Sequence, residues 1–256
     1  PALGPHAIIA SNTSGLSIAA LSEALPEAVR HRFCGVHFFN PPRYMPLVEL
    51  IPTEATEPAL LDALETFLVS RLGKGVVRAK DTPNFIGNRI GVFGILSVFH
   101  HTRAFGLPYE LVDDLTGTRP GRAKSGTYRT ADVVGLDTLA HVIDTMRSQL
   151  PDDPFRAHFG VPPVLAALIE KGALGQKTKA GFFKKEGKQI LRLDPAAGQY
   201  VPSGEKADDE VKDILKERDP AKRLKALHDS AHPQAQFLWA VLRDTFHYSA
   251  VHLGDI

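Results

Sequence analysis

The sequence predicts a mixed fold class, an α/β layer followed by an all-α region. Three observations lead to this prediction. Short β-rich apolar runs alternate with helical stretches over residues 1–80, as in an α/β layer. Helical apolar spacing then dominates from residue 83 to about residue 175. Another apolar helix begins at Gln234.

The elements of the α/β layer are predicted from short apolar runs that end at turn-forming residues. "HAIIAS" stops at "NTSG" and reads as a buried strand that enters a turn, and the later β-rich runs are interpreted in the same way. The predicted strands cover 6–11, 32–39, 46–52 and 75–80, and the predicted helices cover 17–25 and 56–74.

The predicted helical region begins at Thr82, which can cap a helix whose first position is Pro83. Gly87, Gly91 and Gly94 lower the helix propensity there, but small residues at this spacing permit a close helix crossing. Further helices are expected at 108–116, 131–149 and 161–171, a hairpin at 180–195 around Glu186-Gly187, and charged helices at 204–227.

Composition excludes several classes of function. The chain has 30 Lys and Arg against 29 Asp and Glu, a net charge of +1, so we expect no nucleic-acid partner. No apolar run is long enough for a membrane span. Cys34 is the only cysteine, which excludes an internal disulfide framework and a cysteine-based zinc site. HExxH is absent and we expect no metal site.

"HFFNPPRYMPLVE" holds the strongest chemical candidate, His37 and Glu49. If 32–38 and 46–52 pair antiparallel in the register that opposes these two residues, their Cβ atoms lie about 5 Å apart on one face. The carboxylate could then accept the Nδ1 hydrogen and leave Nε2 free to take a proton from a substrate. The alternative is a His–Glu contact that closes a hairpin, with Asn40-Pro41-Pro42 as its turn.

Three motifs together resemble the L-3-hydroxyacyl-CoA dehydrogenases of fatty-acid β-oxidation. They are "SNTSGLSI" (11–18), "HFFNPPRYMPLVEL" (37–50) and "DTPNFIGNRI" (81–90), in the order and approximate separation of that family. "TADVVGLDT" (130–138) extends the resemblance. The resemblance implies the C-terminal part of a Rossmann-like NAD-binding domain, followed by the helical C-terminal domain of that family.

The resemblance also implies a fragment of a longer, multidomain member. The expected segments are 1–80, the remnant of the NAD-binding domain; 81–178, a helical substrate and dimerisation domain; 179–230, a hairpin and charged helical linker; and 231–256, the start of a second helical repeat. No GxGxxG occurs in the sequence, and that segment is expected to precede residue 1. The chain by itself is therefore expected to bind NAD+ poorly or not at all.

The activity implied is oxidation of L-3-hydroxyacyl-CoA to 3-ketoacyl-CoA with NAD+. His37 is then the general base and Glu49 its orienting partner. Ser14 and Asn88 match positions that bind the substrate oxygen or thioester region, and Asn40 matches one near the nicotinamide carboxamide. Two structural alternatives stay open, because Asn12, Thr13 and Ser14 are also good N-cap residues and Asn88 could serve helix packing.

A second class of function is a non-catalytic acyl-CoA-binding or dimerisation module in which the His–Glu pair is inherited structure. A relative that acts on a different acid ranks lower, because "HFFNPP" favours the acyl-CoA group. The expected partner is an acyl-CoA thioester, the expected location is cytoplasmic, and apolar helices around 84–105 are compatible with a homodimer.

Overall fold

The computed structural model describes residues 4, 6–120 and 124–256. Cα packing separates two compact units: the first holds the described residues up to Ile90 together with Val251–Ile256, and the second holds Gly91–Ala250. The four-segment domain organisation expected from the sequence stays a prediction.

The first unit is an α/β layer, as predicted. Its helices are α1 (Ile18–Glu23), α2 (Glu27–Arg30) and α3 (Pro58–Leu72), and its strands are β1 (Ile9–Ser11), β2 (Phe33–Phe38), β3 (Leu47–Ile51) and β4 (Gly75–Arg78).

The sheet has the order β1-β2-β3-β4. β1 and β2 are parallel, β2 and β3 are antiparallel, and β3 and β4 are parallel. The carboxyl ends of β1 and β2 therefore meet at the same edge, which is where open α/β sheets bind ligands.

Alternation along β2 gives the sheet two different faces. Cys34 and Val36 belong to an apolar cluster with Val48, Leu50 and α3. The opposite face has a second cluster, which contains Ile18, Phe33, Ile51, Ala79 and Phe85. His37 and Glu49 alternate with the residues of the α3 cluster, so strand periodicity assigns them to the second face.

The second unit is mainly helical. Helix α4 (Gly87–Phe105) runs into it, and its further elements are α5 (Tyr109–Leu115), α6 (Tyr128–Val134), α7 (Leu136–Gln149), α8 (Pro163–Glu170), β5 (Phe183–Glu186), β6 (Gln189–Asp194), β7 (Gln199–Pro202), α9 (Asp209–Leu215), α10 (Pro220–Asp229), α11 (Pro233–Val251) and two short 3₁₀ turns at Arg156–His158 and Gln176–Thr178.

The predicted close helix crossing is confirmed at Gly94. A Cβ there would lie 3.4 Å from Thr245 Oγ1 of α11, and the adjacent Phe93 stacks on Tyr248, three residues after Thr245, with ring centroids 4.0 Å apart. Alanine at Gly94 would make ordinary van der Waals contact, whereas a side chain larger than alanine would push the two helices apart.

Buried carboxyl groups join the elements of the second unit. Asp113 of α5 accepts hydrogen bonds from the backbone N–H groups of Tyr128 (2.6 Å) and Arg129 (3.0 Å), where α6 begins. Asp132 accepts from those of Phe182 and Phe183, both at 2.9 Å. Burial raises the pKa of Asp113 to about 7 and that of Asp132 to about 6, and the backbone donors only partly oppose this.

The predicted hairpin is present, and β7 adds a third antiparallel strand to it. The start predicted for the long helix is wrong. The helix begins at Gly87 and not at Pro83, because Asn84 and Phe85 have φ of 63° and 50°, which a right-handed helix does not allow.

In the part of the chain that the structure describes, no helix combines the length and the apolar content needed to cross a membrane.

Candidate active site

The antiparallel pairing of β2 and β3 places His37 directly opposite Glu49. His37 Nδ1 and Glu49 Oε2 are 2.7 Å apart, and the residues are only 4% and 0% exposed. At this distance the carboxyl group fixes both the orientation and the tautomer of the imidazole. Nε2 is then the ring nitrogen left for a substrate.

The second oxygen of Glu49 contacts the start of α4. Oε1 accepts hydrogen bonds from the backbone N–H groups of Ile86 (3.0 Å) and Gly87 (2.7 Å). These two donors lie at the helix N-terminus, where negative charge is stabilised. One carboxyl group therefore joins the ring on β2 to the first turn of α4, a contact that we did not predict from the sequence.

Two aromatic rings surround the imidazole. The Phe39 and Phe85 ring centroids lie 4.5 Å and 5.6 Å from that of His37. Gly87 makes room for Phe39, because a Cβ at Gly87 would lie 2.5 Å from Phe39 Cζ. The ring of His37 is thus held between apolar side chains on one side and a carboxyl group on the other.

Asn88 follows Gly87 in the first turn of α4, not in the second turn that a helix from Pro83 would give. It is half-buried, and within the described ranges its side chain makes no hydrogen bond that would tie it into helix packing. The first turn of α4 thus carries Asn88 next to the residue whose N–H binds Glu49.

Ser14 lies in the turn between β1 and α1 and is exposed. It does not cap α1, because Ser17 is the N-cap and its hydroxyl accepts from the N–H of Ala20 at 3.2 Å. Thr13 Oγ1 instead closes the preceding turn by accepting from the N–H of Leu16 at 3.1 Å. The capping alternative is therefore wrong for Ser14.

Asn40 follows β2 and is exposed; its peptide bond to Pro41 is cis. The loop after it is held by Lys74 Nζ, which donates to the carbonyls of Met45 (2.7 Å) and Pro42. At the same sheet edge, Asn12 Oδ1 accepts from the N–H of Phe38 at 2.9 Å. Asn12 thus joins the loops after β1 and β2, which carry Ser14 and Asn40.

No cluster of three or more His, Cys, Asp or Glu side chains suitable for a metal ion occurs among residues 4, 6–120 and 124–256.

Two family descriptions match the chain. Residues 1–82 match "3-hydroxyacyl-CoA dehydrogenase, NAD binding domain", and residues 85–185 match "3-hydroxyacyl-CoA dehydrogenase, C-terminal domain". The boundary between the matches falls just before α4.

Relatives with the same type of name are similar over much of this chain. A probable 3-hydroxyacyl-CoA dehydrogenase of Bacillus subtilis is 40% identical over 249 residues, 97% of this chain and 31% of that protein. A probable 3-hydroxyacyl-CoA dehydrogenase of Deinococcus radiodurans is 44% identical over 179 residues, 70% of this chain and 51% of that protein. The chain thus spans between about a third and a half of these relatives.

Among solved structures, the crystal structure of (S)-3-hydroxybutyryl-CoA dehydrogenase PaaH1 from Ralstonia eutropha matches with a TM-score of 0.59 and 34% identity. The match covers 70% of this chain and 60% of that one.

Proposed function

The chain belongs to the 3-hydroxyacyl-CoA dehydrogenase family, and on that premise we propose that it takes part in the NAD+-dependent oxidation of L-3-hydroxyacyl-CoA to 3-ketoacyl-CoA in fatty-acid β-oxidation. The observation that carries the proposal is the buried pair formed by His37 and Glu49, 2.7 Å apart.

The reaction removes a proton from the 3-hydroxyl group and a hydride from C3, and the C3–O bond becomes a carbonyl. Nε2 of His37 takes the proton, because Nδ1 is bound to Glu49. NAD+, when bound, supplies the acceptor for the hydride. Glu49 stabilises the imidazolium that forms and keeps the ring in the tautomer that can act as a base.

Ser14 and Asn88 supply neutral hydrogen-bonding groups for the substrate oxygen or thioester. Ser14 caps no helix, and the Asn88 side chain makes no hydrogen bond among the described residues, which leaves the polar groups of both available to a ligand. The edge formed by the carboxyl ends of β1 and β2 fits the nicotinamide end of the cofactor, since Asn40 lies exposed there. Asn40 would hold the carboxamide.

The test uses the natural protein that contains this sequence, supplied with acetoacetyl-CoA and NADH. We expect a loss of nicotinamide absorbance, and we expect His37→Ala to lower kcat by about 10²-fold to 10⁴-fold, the range for a general base. The melting temperature of the variant checks that it folds.

Turnover by a folded His37→Ala protein at the parent rate would remove His37 from the mechanism. Binding of acetoacetyl-CoA without any oxidation of NADH would instead favour a non-catalytic acyl-CoA-binding or dimerisation module. Comparing short-chain and long-chain thioesters in the same assay gives the acyl preference. The cytoplasmic location and the homodimer remain predictions.

A further inference from the structure

An amide group beside the candidate site has an unused hydrogen-bond donor. Asn84 is only 4% exposed, and its Nδ2 has no partner among the described residues. The hydroxyl of Thr82, two residues earlier, is likewise buried without a partner in the described chain. An unpaired buried polar group costs about 1–3 kcal/mol, so its retention calls for an explanation.

The segment that carries Asn84 is anchored at both ends. Asp81 accepts hydrogen bonds from Ser17 Oγ (2.8 Å) and from the N–H groups of Ile18 (2.9 Å) and Ala19 (2.8 Å), at the start of α1. Glu49 binds the other end through the N–H groups that open α4. The position of Asn84 between these anchors is therefore imposed by the fold.

The backbone conformation at position 84 explains why a residue such as Asn occurs there, but it does not explain why the side chain carries an amide group. Asn84 has φ of 63°, and Asn tolerates the left-handed region better than most residues do. Glycine would suit that conformation at least as well. If position 84 had only a structural role, glycine could therefore fill it without leaving a buried hydrogen-bond donor unpaired.

The amide lies against the loop that carries Ser14. A Cβ at Gly15 would lie 3.8 Å from Asn84 Oδ1, and among the described residues beyond its chain neighbours no other atom would lie within 4 Å. Gly15 and Ser14 are both exposed. Rotation of the amide about its last bond exchanges its nitrogen and oxygen, so the donor can face the gap beside Gly15.

We propose that Asn84 is a further substrate-binding residue, whose amide N–H donates a hydrogen bond to an oxygen of the acyl thioester bound next to Ser14. The proposal rests on the proposed function. Ser14 and Asn88 would then have a third neutral partner, and the missing side chain at Gly15 keeps the amide open to the ligand.

The experiment compares three variants of the natural protein that contains this sequence. Asn84→Gly removes the amide and keeps a backbone suited to positive φ. Asn84→Asp keeps the shape and removes both N–H donors. Gly15→Ala places a methyl group against the amide, with ordinary contact only. Gly91→Ala is the matched control, because a Cβ there meets nothing within 4 Å.

Two quantities are measured: the dissociation constant of acetoacetyl-CoA by calorimetry and turnover by nicotinamide absorbance. We expect Asn84→Gly and Gly15→Ala to weaken binding by about tenfold, the loss of one hydrogen bond. Asn84→Asp should weaken it further by repulsion between oxygens. The melting temperatures of Asn84→Gly, Gly15→Ala and Gly91→Ala should equal or exceed that of the parent.

Binding by folded Asn84→Gly within twofold of the parent would overturn the proposal. If Asn84→Gly does not fold, unchanged binding by Gly15→Ala would overturn it instead. A parent that binds acetoacetyl-CoA but never oxidises NADH would disprove the proposed function only, and the affinities of the variants would still decide the role of Asn84. A parent that does not bind acetoacetyl-CoA would overturn both.

Discussion

The two carboxyl oxygens of Glu49 have different partners: one contacts His37 and the other contacts the start of α4. A substitution of Glu49 can test these two contacts separately. Oε2 faces His37 Nδ1, and Oε1 accepts from two backbone N–H groups of the following helix. The amide of a glutamine at this position could still accept the hydrogen bonds from the helix, but its NH2 group could not accept a hydrogen bond from His37 Nδ1.

We therefore expect Glu49→Gln to fold and to lose turnover. The amide oxygen still accepts from the helix N-terminus, whereas the amide NH2 donates to Nδ1 and moves the ring proton to Nε2, which then cannot act as a base. Loss of the correct tautomer costs on the order of 10⁴-fold in kcat in a serine protease, and we expect an effect of that order.

The matched control is Glu110→Gln, which changes another buried carboxyl, paired with Arg192 at 2.8 Å. It should lower the melting temperature and leave kcat unchanged. Equal kcat for Glu49→Gln and the parent would show that Glu49 does not set the tautomer.

Gly87 provides a second test at the residue scale. A methyl group at Gly87 would overlap the Phe39 ring, 2.5 Å from Cζ, so either the ring or the first turn of α4 must shift. We expect Gly87→Ala to cost about 1–3 kcal/mol of unfolding free energy and to lower turnover, measured by denaturant unfolding and by nicotinamide absorbance.

Gly91→Ala is the control in the same helix. With nothing within 4 Å of its Cβ, this change should stabilise by about 0.5–1 kcal/mol through helix propensity. A stabilised Gly87→Ala with parental turnover would contradict the role given to Phe39.

At the scale of elements, local sequence signals predicted the strands better than the helix start. Period-two alternation predicted the two strands but left their register open, and the structure has the register that opposes His37 and Glu49. Thr82-Pro83 is a normal local start signal, yet the helix begins at Gly87. Its start is bound by Glu49, 38 residues earlier in the chain from Gly87, and no local pattern records such a contact.

Contacts that are distant in the sequence also determine the roles of other residues near the site. "NTS" offered three cap candidates before α1, whereas the cap is Ser17, reinforced by Asp81 at a sequence separation of 64. Asn84 was not predicted as a site residue, since its unpaired amide is visible only once the surrounding partners are known.

Asp81 lies in the segment before α4 and binds the start of α1. Its removal should therefore lower the stability of the first unit and disturb the segment that leads to the candidate site. We expect Asp81→Ala to lower the unfolding free energy by about 1–2 kcal/mol, as for a lost cap, and to raise the KM for acetoacetyl-CoA. Asp219→Ala is the control, because Asp219 caps α10 in the other unit. It should destabilise by a similar amount without a change in KM.

A decrease in stability that is equal for the two variants, with KM unchanged in both, would show that the contacts of Asp81 with α1 do not position the candidate site.

At the scale of the whole molecule, the predicted fold class, an α/β layer followed by a mainly helical region, is confirmed, and the family matches fall on the same two parts of the chain. The stability of the second part carries a pH dependence that composition could not reveal. Its source is Asp113, whose pKa rises to about 7 through burial.

The folded state therefore holds the Asp113 proton more tightly than the unfolded state, whose pKa is about 3.9. Stability from this group is fully present below about pH 4 and is lost as the pH rises to about 7. The predicted loss is at most about 4 kcal/mol, from 1.36 kcal/mol per pKa unit.

We expect Asp113→Asn to remove this dependence. The difference in melting temperature between the variant and the parent should grow in favour of the variant from about pH 4 to about pH 7, because the other acidic groups are common to both proteins. Asp137→Asn is the control with the opposite sign, since the hydrogen bond from Lys177 lowers the pKa of Asp137. If the difference in melting temperature between Asp113→Asn and the parent does not change with pH, the pKa of Asp113 is not raised by burial.

The oxygen that Glu49 presents to the first turn of α4 has a thermodynamic consequence for ligand binding. If Asn88 binds the acyl thioester as proposed, any shift of that turn on binding also moves the Glu49 carboxyl group that contacts the imidazole. Because linkage between two sites is reciprocal, a ligand that moves the turn and a substrate that contacts the imidazole would then change each other's affinity by the same factor.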